Sequence, residues 1–223
     1  MNSKVKIYQR NLPHIHPKNG IFFITFRLAG TLPKQVLKTL LEEREKRLLE
    51  IDKNLSKKDI IIEKYKVEKR FFAGYDKWLD TCKTGPLWLQ QPEVANVVAT
   101  KLHELANSKY ELITYCIMPN HVHLLIKLFE DNVKKKIFHT GRTGNYPLAD
   151  VMRVLKGSTS RICNLVLQRA GQFWHHESYD HFVRDETEFY RIIKYIFFNP
   201  VKAGFVKNYQ DWEFSFVKKS IPI

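Results

Sequence analysis

The chain has 223 residues, 37 Lys and Arg against 23 Asp and Glu, a formal net charge of +14, and 44% hydrophobic residues. That apolar share excludes a disordered polyelectrolyte, and a chain of this size buries roughly 70% of its unfolded surface, so folding requires no metal or disulfide staple. Cys82, Cys116 and Cys163 are an odd set without C-x-x-C spacing, which excludes a secreted disulfide framework and a cysteine-only zinc module and points to a reducing, cytoplasmic setting. The polar stretch 1–20 lacks an apolar h-region, and no run approaches about 18 apolar residues, so neither a signal peptide nor a membrane partner is expected. A pI near 9.6 with 13% aromatic residues suits a phosphate-bearing partner, whose backbone meets Lys and Arg and whose exposed bases stack on rings.

In chain order, IFFITFRL at 21–28 reads as a strand stopped by Ala29-Gly30 and Pro33. From about 33 to 84 the composition changes to leucine and isoleucine at helical spacing with both charge signs between them. This predicts a helical insertion, with a break near Asn54-Leu55-Ser56 and Ser56 positioned to cap a second helix. It is only mildly basic, which reads as a solvated face rather than a DNA clamp. A helix is predicted from Gln91-Pro92-Glu93 to about Asn107, with Pro92 in its first turn. Segments 110–116 and 122–128 then form a candidate hairpin across Met118-Pro119-Asn120-His121. A polar loop follows with Lys134, Lys135, Lys136, Gly141 and Gly144, lacking the spacing of a phosphate cradle. Residues 148–170 have helical spacing, a possible bend at Gly157-Ser158, and a positive face of Arg153, Lys156, Arg161 and Arg169. An extended piece holds Phe173 and Trp174, 181–184 follows, and a last helix runs from about Thr187 to Phe198, ended by Pro200 and Gly204. The expectation is one α+β domain over 1–223 carrying the insertion at about 33–84.

His121-Val122-His123 is the most informative triplet, because residues i and i+2 of a strand project to one face and set two imidazoles side by side. Two neutral imidazoles make half a metal site; two histidines hydrogen-bonded on a half-buried strand have the same pattern. On the last helix Tyr195 and Asn199 stand at i and i+4, with Arg191 one turn earlier. They read either as a nucleophile beside an oxygen ligand or as a half-buried core tyrosine and a helix C-terminal asparagine.

Three blocks in order resemble a known family: Tyr115-Cys-Ile-Met-Pro-Asn-His-Val-His-Leu-Leu-Ile, Phe173-Trp-His-His-Glu-Ser-Tyr-Asp-His-Phe-Val-Arg-Asp185, and Tyr195-Ile-Phe-Phe-Asn199-Pro-Val-Lys-Ala-Gly204-Phe-Val. They resemble the single-tyrosine HUH transposases and, more closely, the REP-associated tyrosine transposases. The resemblance covers the strand near Ile21 and about 87–212; the segment 33–84 lies outside the family core. It implies a ferredoxin-like or RRM-like antiparallel sheet with helices on one face. It further implies His121, His123 and Asn199 as metal ligands, Tyr195 as nucleophile, and Mg²⁺ or Mn²⁺ as cofactor. Related insertion-sequence enzymes often have Gln where Asn199 stands, and Asn fits the REP-associated branch. The implied substrate is single-stranded, hairpin-forming DNA, and the implied state is a monomer or a homodimer.

A divalent ion held by two imidazoles and a carboxamide leaves positions for the oxygens of a scissile phosphodiester. Imidazole leans towards Mn²⁺ or Zn²⁺, so the metal stays open at this stage. A tyrosine, with a reference pKa of about 10, needs the metal or cations such as Arg191 or Lys194 to favour its phenolate. What it offers over water is a 5′-phosphotyrosine link that conserves the broken bond for rejoining. Arg153, Lys156, Arg161, Lys134, Lys135, Lys136 and Arg191 are the candidate contacts to the DNA backbone. The alternatives are a domesticated hairpin-DNA binder that cleaves weakly, and an RRM-like RNA module, which would put rings where His121 and His123 stand.

Overall fold

The computed structural model describes residues 6–9, 13–16, 20–129 and 147–221. Strands β1 (Lys6–Gln9) and β2 (Pro13–His16) form a separate antiparallel pair. The main sheet has five antiparallel strands in the order β6-β3-β5-β4-β7, built from β3 (Ile21–Arg27), β4 (Tyr110–Ile117), β5 (His121–Leu128), β6 (Tyr179–Phe182) and β7 (Ser215–Val217). The helices are α1 (Lys34–Leu49), α2 (Lys57–Asp80), α3 (Pro92–Leu105), α4 (Pro147–Val166) and α5 (Glu186–Lys202).

Alternation along β3 decides which side chains face which layer. Phe22, Ile24 and Phe26 enter the larger core with Val94, Val98 and Leu102 of α3 and Leu148, Val151 and Leu155 of α4. Phe23 points to the opposite face and packs with Leu125, Ile192, Ile193 and Ile196, which brings α5 against the sheet. The expected α+β antiparallel fold is thus present, with one correction: helices cover both faces rather than one. The reason lies in β4 and β5, which are buried at nearly every position and so have no face left for solvent.

The insertion is a helical hairpin. Ser56 caps α2 by accepting from the Asp59 amide at 3.2 Å, and Leu32, Phe71, Tyr75 and Leu79 form a third core with Leu37 and Leu40 of α1. Gly85 has φ +75°, and a Cβ there would stand 2.5 Å from the Gly30 carbonyl oxygen. The two ends of the insertion therefore touch, and glycine is what permits that approach. Phe72 stacks on Tyr179 with ring centres 4.0 Å apart, and Tyr75 receives a hydrogen bond from Arg27 Nε at 2.7 Å. The hairpin thus lies over the same face as α5.

Two helix ends and one strand differ most from expectation. α4 ends at Val166, and α5 runs through Pro200 to Lys202 before Gly204, at φ +79°, terminates it. A proline near a helix end gives up one backbone bond without a break when the surrounding side chains are buried, as Asn199 and Pro200 are here. β7 was not foreseen; it is three residues long and lies at a sheet edge, too short for periodicity to register.

Candidate functional site

The register of β3 against β5 pairs Thr25 with His123 and Arg27 with His121, on the face that α2 and α5 cover. Both histidines are fully buried, and their Nε2 atoms lie 3.0 Å apart. Each ring is held by its other nitrogen: His123 Nδ1 contacts Thr25 Oγ1 at 2.8 Å, and His121 Nδ1 contacts Asn120 Oδ1 at 2.6 Å. Asn120 donates its amide to the Leu79 carbonyl of α2 at 3.0 Å, so its oxygen accepts and His121 Nδ1 carries the hydrogen. The Nε2 lone pair of His121 is then left to point inward. Burial pushes His121 down to about 4 despite the nearby Asp80. Burial, then His121 and Lys202, push His123 well below its usual value. Both rings are neutral at pH 7, the form that binds metals.

Helix α2 brings two carboxylates to the same point. Asp76 Oδ1 is 3.5 Å from His123 Nε2, Asp80 Oδ1 is 3.9 Å from His121 Nε2, and one ligand atom from each of the four residues falls within 4.8 Å of the others. Asp76 is 2% exposed, and neither of its oxygens has a hydrogen-bond partner. Burial and the Asp80 charge hold its carboxyl well above the usual range, against the pull of Lys202. Asp80 differs: it accepts from Asn199 Nδ2 at 3.3 Å and from Lys202 Nζ at 2.9 Å.

Helix α5 supplies the remaining groups. Asn199 is fully buried, and with its amide nitrogen on Asp80 its Oδ1 has no partner. One turn earlier the Tyr195 ring sits edge-on to His123 with centres 5.4 Å apart. Its buried hydroxyl also lacks a partner, and Lys202 Nζ lies 5.4 Å from the ring centre. The cation beside Tyr195 is therefore Lys202; Arg191 pairs with Glu188 at 3.0 Å instead.

Donors around one divalent ion at about 2.0–2.2 Å stand roughly 3 to 3.5 Å from one another. The spacings of 3.0 Å and 3.5 Å, the inward imidazoles and the orphaned oxygens of Asp76 and Asn199 fit such an ion. The buried Asp76, Asp80, His121 and His123 group can hold a metal. Sequence reading missed both aspartates, although they stand on the apolar stripe of α2, in FFAGYDKWLD, where a carboxylate is out of place.

The structure brings His121, His123, Tyr195 and Asn199 together but not the candidate DNA contacts. Arg153 and Arg161 are exposed on α4, and Arg153 lies 3.5 Å from Asp150. Lys156 Nζ donates to the carbonyls of His175, His176 and Glu177 at 3.0, 3.4 and 3.2 Å. It thereby fixes its own neighbouring loop beside an open cleft of about 650 Å³ that Ser160, Gln172 and His175 also line. Lys134, Lys135 and Lys136 lie outside the described residues. Trp174 is a core residue, bonded through Nε1 to Thr159 Oγ1 at 2.8 Å.

No protein-family profile matches the chain. Over 108 residues it is 29% identical to a Haemophilus influenzae protein named "Putative REP-associated tyrosine transposase", covering 48% of this chain and 58% of that protein. Over 106 residues it is 26% identical to an Escherichia coli protein named REP-associated tyrosine transposase, covering 48% and 53%. The chain thus spans little more than half the length of these relatives. A solved structure of a REP-associated tyrosine transposase bound to a REP hairpin shares 17% identity at a TM-score of 0.47, over 89% of this chain and 76% of that one. The resemblance read from the three sequence blocks is borne out: the chain is similar to REP-associated tyrosine transposases.

Proposed function

We propose that this protein is a metal-dependent transposase that nicks and rejoins single-stranded DNA beside a hairpin, with Tyr195 as nucleophile. The observation that carries the reading is the edge-on contact of Tyr195 with His123, one of two imidazoles whose Nε2 atoms lie 3.0 Å apart. Hairpin DNA as substrate follows from the names of the relatives, and the net charge of +14 supports a polyanion partner. Three free cysteines suit a cytoplasmic setting.

His121 and His123 would hold a divalent cation, Mg²⁺ or Mn²⁺, with Asn199 Oδ1 as a further donor. When bound, the ion supplies Lewis acidity at the scissile phosphate. Tyr195 attacks phosphorus: the Tyr195 Oη–P bond forms, the P–O3′ bond breaks, the phenol loses its proton and the departing 3′ oxygen gains one. A 5′-phosphotyrosine results. Because one phosphoester replaces another, a 3′-hydroxyl can reverse the step and rejoin strands without ATP. Lys202, paired with Asp80, lies beside the Tyr195 ring, and the apolar packing of Phe23 and Ile196 excludes water from the face behind the tyrosine.

The test is a denaturing gel of 5′- and 3′-labelled hairpin oligonucleotides drawn from repeats beside the gene, with Mn²⁺, Mg²⁺ or EDTA. A metal-dependent nick with the downstream fragment retained on protein is expected. Binding without a nick on oligonucleotides containing the native site would favour a domesticated binder instead.

A further inference from the structure

We infer that Asp76, carried into the site by the helical insertion, is an anionic ligand of the metal, so that the ion is held by two imidazoles and a carboxylate before any carboxamide. This rests on the metal-site reading above and adds a residue from outside the segments that resemble the transposase core.

A buried carboxylate without a partner is costly, and native structures tolerate one where a cation neutralises it. Asp76 is 2% exposed and both its oxygens are unbonded. Charged or titratable groups at this point are Asp80, His121, His123 and Lys202, with Tyr195 against His123 and Tyr75 beside Asp76, the latter holding the Arg27 guanidinium. The two imidazoles are neutral, and Lys202 is spent on Asp80 at 2.9 Å. Asp80 also binds Asn199, so each of its oxygens already accepts a hydrogen bond while neither oxygen of Asp76 does. Distance points the same way: Asp76 is 3.5 Å from its histidine and Asp80 3.9 Å from its own. The backbone is built to deliver this group. Leu79 O is fastened to Asn120, the residue before His121, and Tyr75 to Arg27, which pairs in register with His121. Residues on both sides of Asp76 are thereby tied, one to β3 and the other to the residue that leads into β5, the strand that carries both imidazoles.

Two imidazoles and one carboxylate form a donor set that prefers Mn²⁺ over Mg²⁺ and leaves further positions on the ion for substrate oxygens. Mn²⁺ is therefore the probe.

The test is Mn²⁺ binding to the DNA-free protein, followed by the electron spin resonance of free Mn²⁺ and by thermal unfolding with and without EDTA. Wild type, Asp76→Asn, Asp80→Asn and His121→Ala are compared. The expected result for Asp76→Asn is at least tenfold weaker Mn²⁺ binding, loss of the metal-induced rise in melting temperature, and a melting temperature in EDTA no lower than wild type, because Asn matches the carboxyl in shape and adds no charge to the buried site. Asn is isosteric with Asp, so the EDTA melt separates ligand loss from misfolding. Wild-type-like Mn²⁺ affinity in Asp76→Asn, with binding lost in His121→Ala, overturns the inference and leaves the histidine site intact. Wild-type-like affinity in His121→Ala overturns the underlying metal reading instead.

Discussion

Replacing Glu188 by Gln tests how the insertion is fastened to the tyrosine helix. Glu188 is 5% exposed in the first turn of α5. It accepts hydrogen bonds from Tyr65 of α2, from the Arg184 amide at 3.1 Å and from Arg191 at 3.0 Å, and His181 lies 3.2 Å away. Burial alone would raise its carboxyl, yet the close His181 ring and hydrogen bonds from Tyr65 and the Arg184 backbone outweigh it and hold Glu188 down at about 2 from 4.5. The folded value lies below the unfolded one, so the stabilisation is fully present above about pH 4.5 and is lost as pH falls towards about 2. A drop of that size corresponds to roughly 3 kcal/mol at pH 7, declining to about 2 at pH 3.5 and about 1 at pH 2.5. Gln stands in for the protonated acid, so urea unfolding of Glu188→Gln should show that loss at pH 7, with a melting temperature lower by roughly 6 to 12 °C. The gap from wild type should narrow at pH 3.5. A loss below about 1 kcal/mol, or one equal at both pH values, would refute an ionised carboxylate as the fastening.

Thr25→Val removes the hydroxyl that orients His123 at 2.8 Å without changing side-chain volume, and Mn²⁺ affinity should fall about 10- to 100-fold while the far-ultraviolet spectrum is unchanged. Gly85→Ala forces a Cβ against the Gly30 carbonyl at φ +75°; a destabilisation of roughly 1 to 3 kcal/mol in urea is expected, and an unperturbed midpoint would contradict the close approach. Lys156→Ala releases the carbonyls of residues 175–177, so amide exchange in the segment around them should quicken while α3 keeps its protection.

Much of this arrangement was legible because it is local. His121 and His123 share a face through the period of a strand, and Tyr195 and Asn199 through the period of a helix; both follow from spacing alone. The sheet core was equally readable in IFFITFRL and its partners. What escaped is non-local. Asp76 and Asp80 are more than forty residues from the histidines, on a segment outside the family resemblance, and only the docking of α2 onto β5 joins them. Likewise Lys156 has the composition of a DNA contact but is bound to its own loop, and Arg191 reads as a phenolate neighbour but is paired with Glu188. A charge on a helix face declares its sign in the sequence; its partner emerges only from tertiary packing.

The central claim is that Tyr195 takes the 5′ phosphate of the cut strand. The most direct measurement is peptide mass spectrometry after the protein is incubated with a single-stranded hairpin oligonucleotide and Mn²⁺, quenched under denaturing conditions and digested. The account predicts a nucleotide adduct linked through a 5′ phosphate on the α5 peptide at Tyr195, absent from Tyr195→Phe and from EDTA-treated samples. An adduct at Tyr179 or Tyr190, or cleavage that persists in Tyr195→Phe, would contradict it.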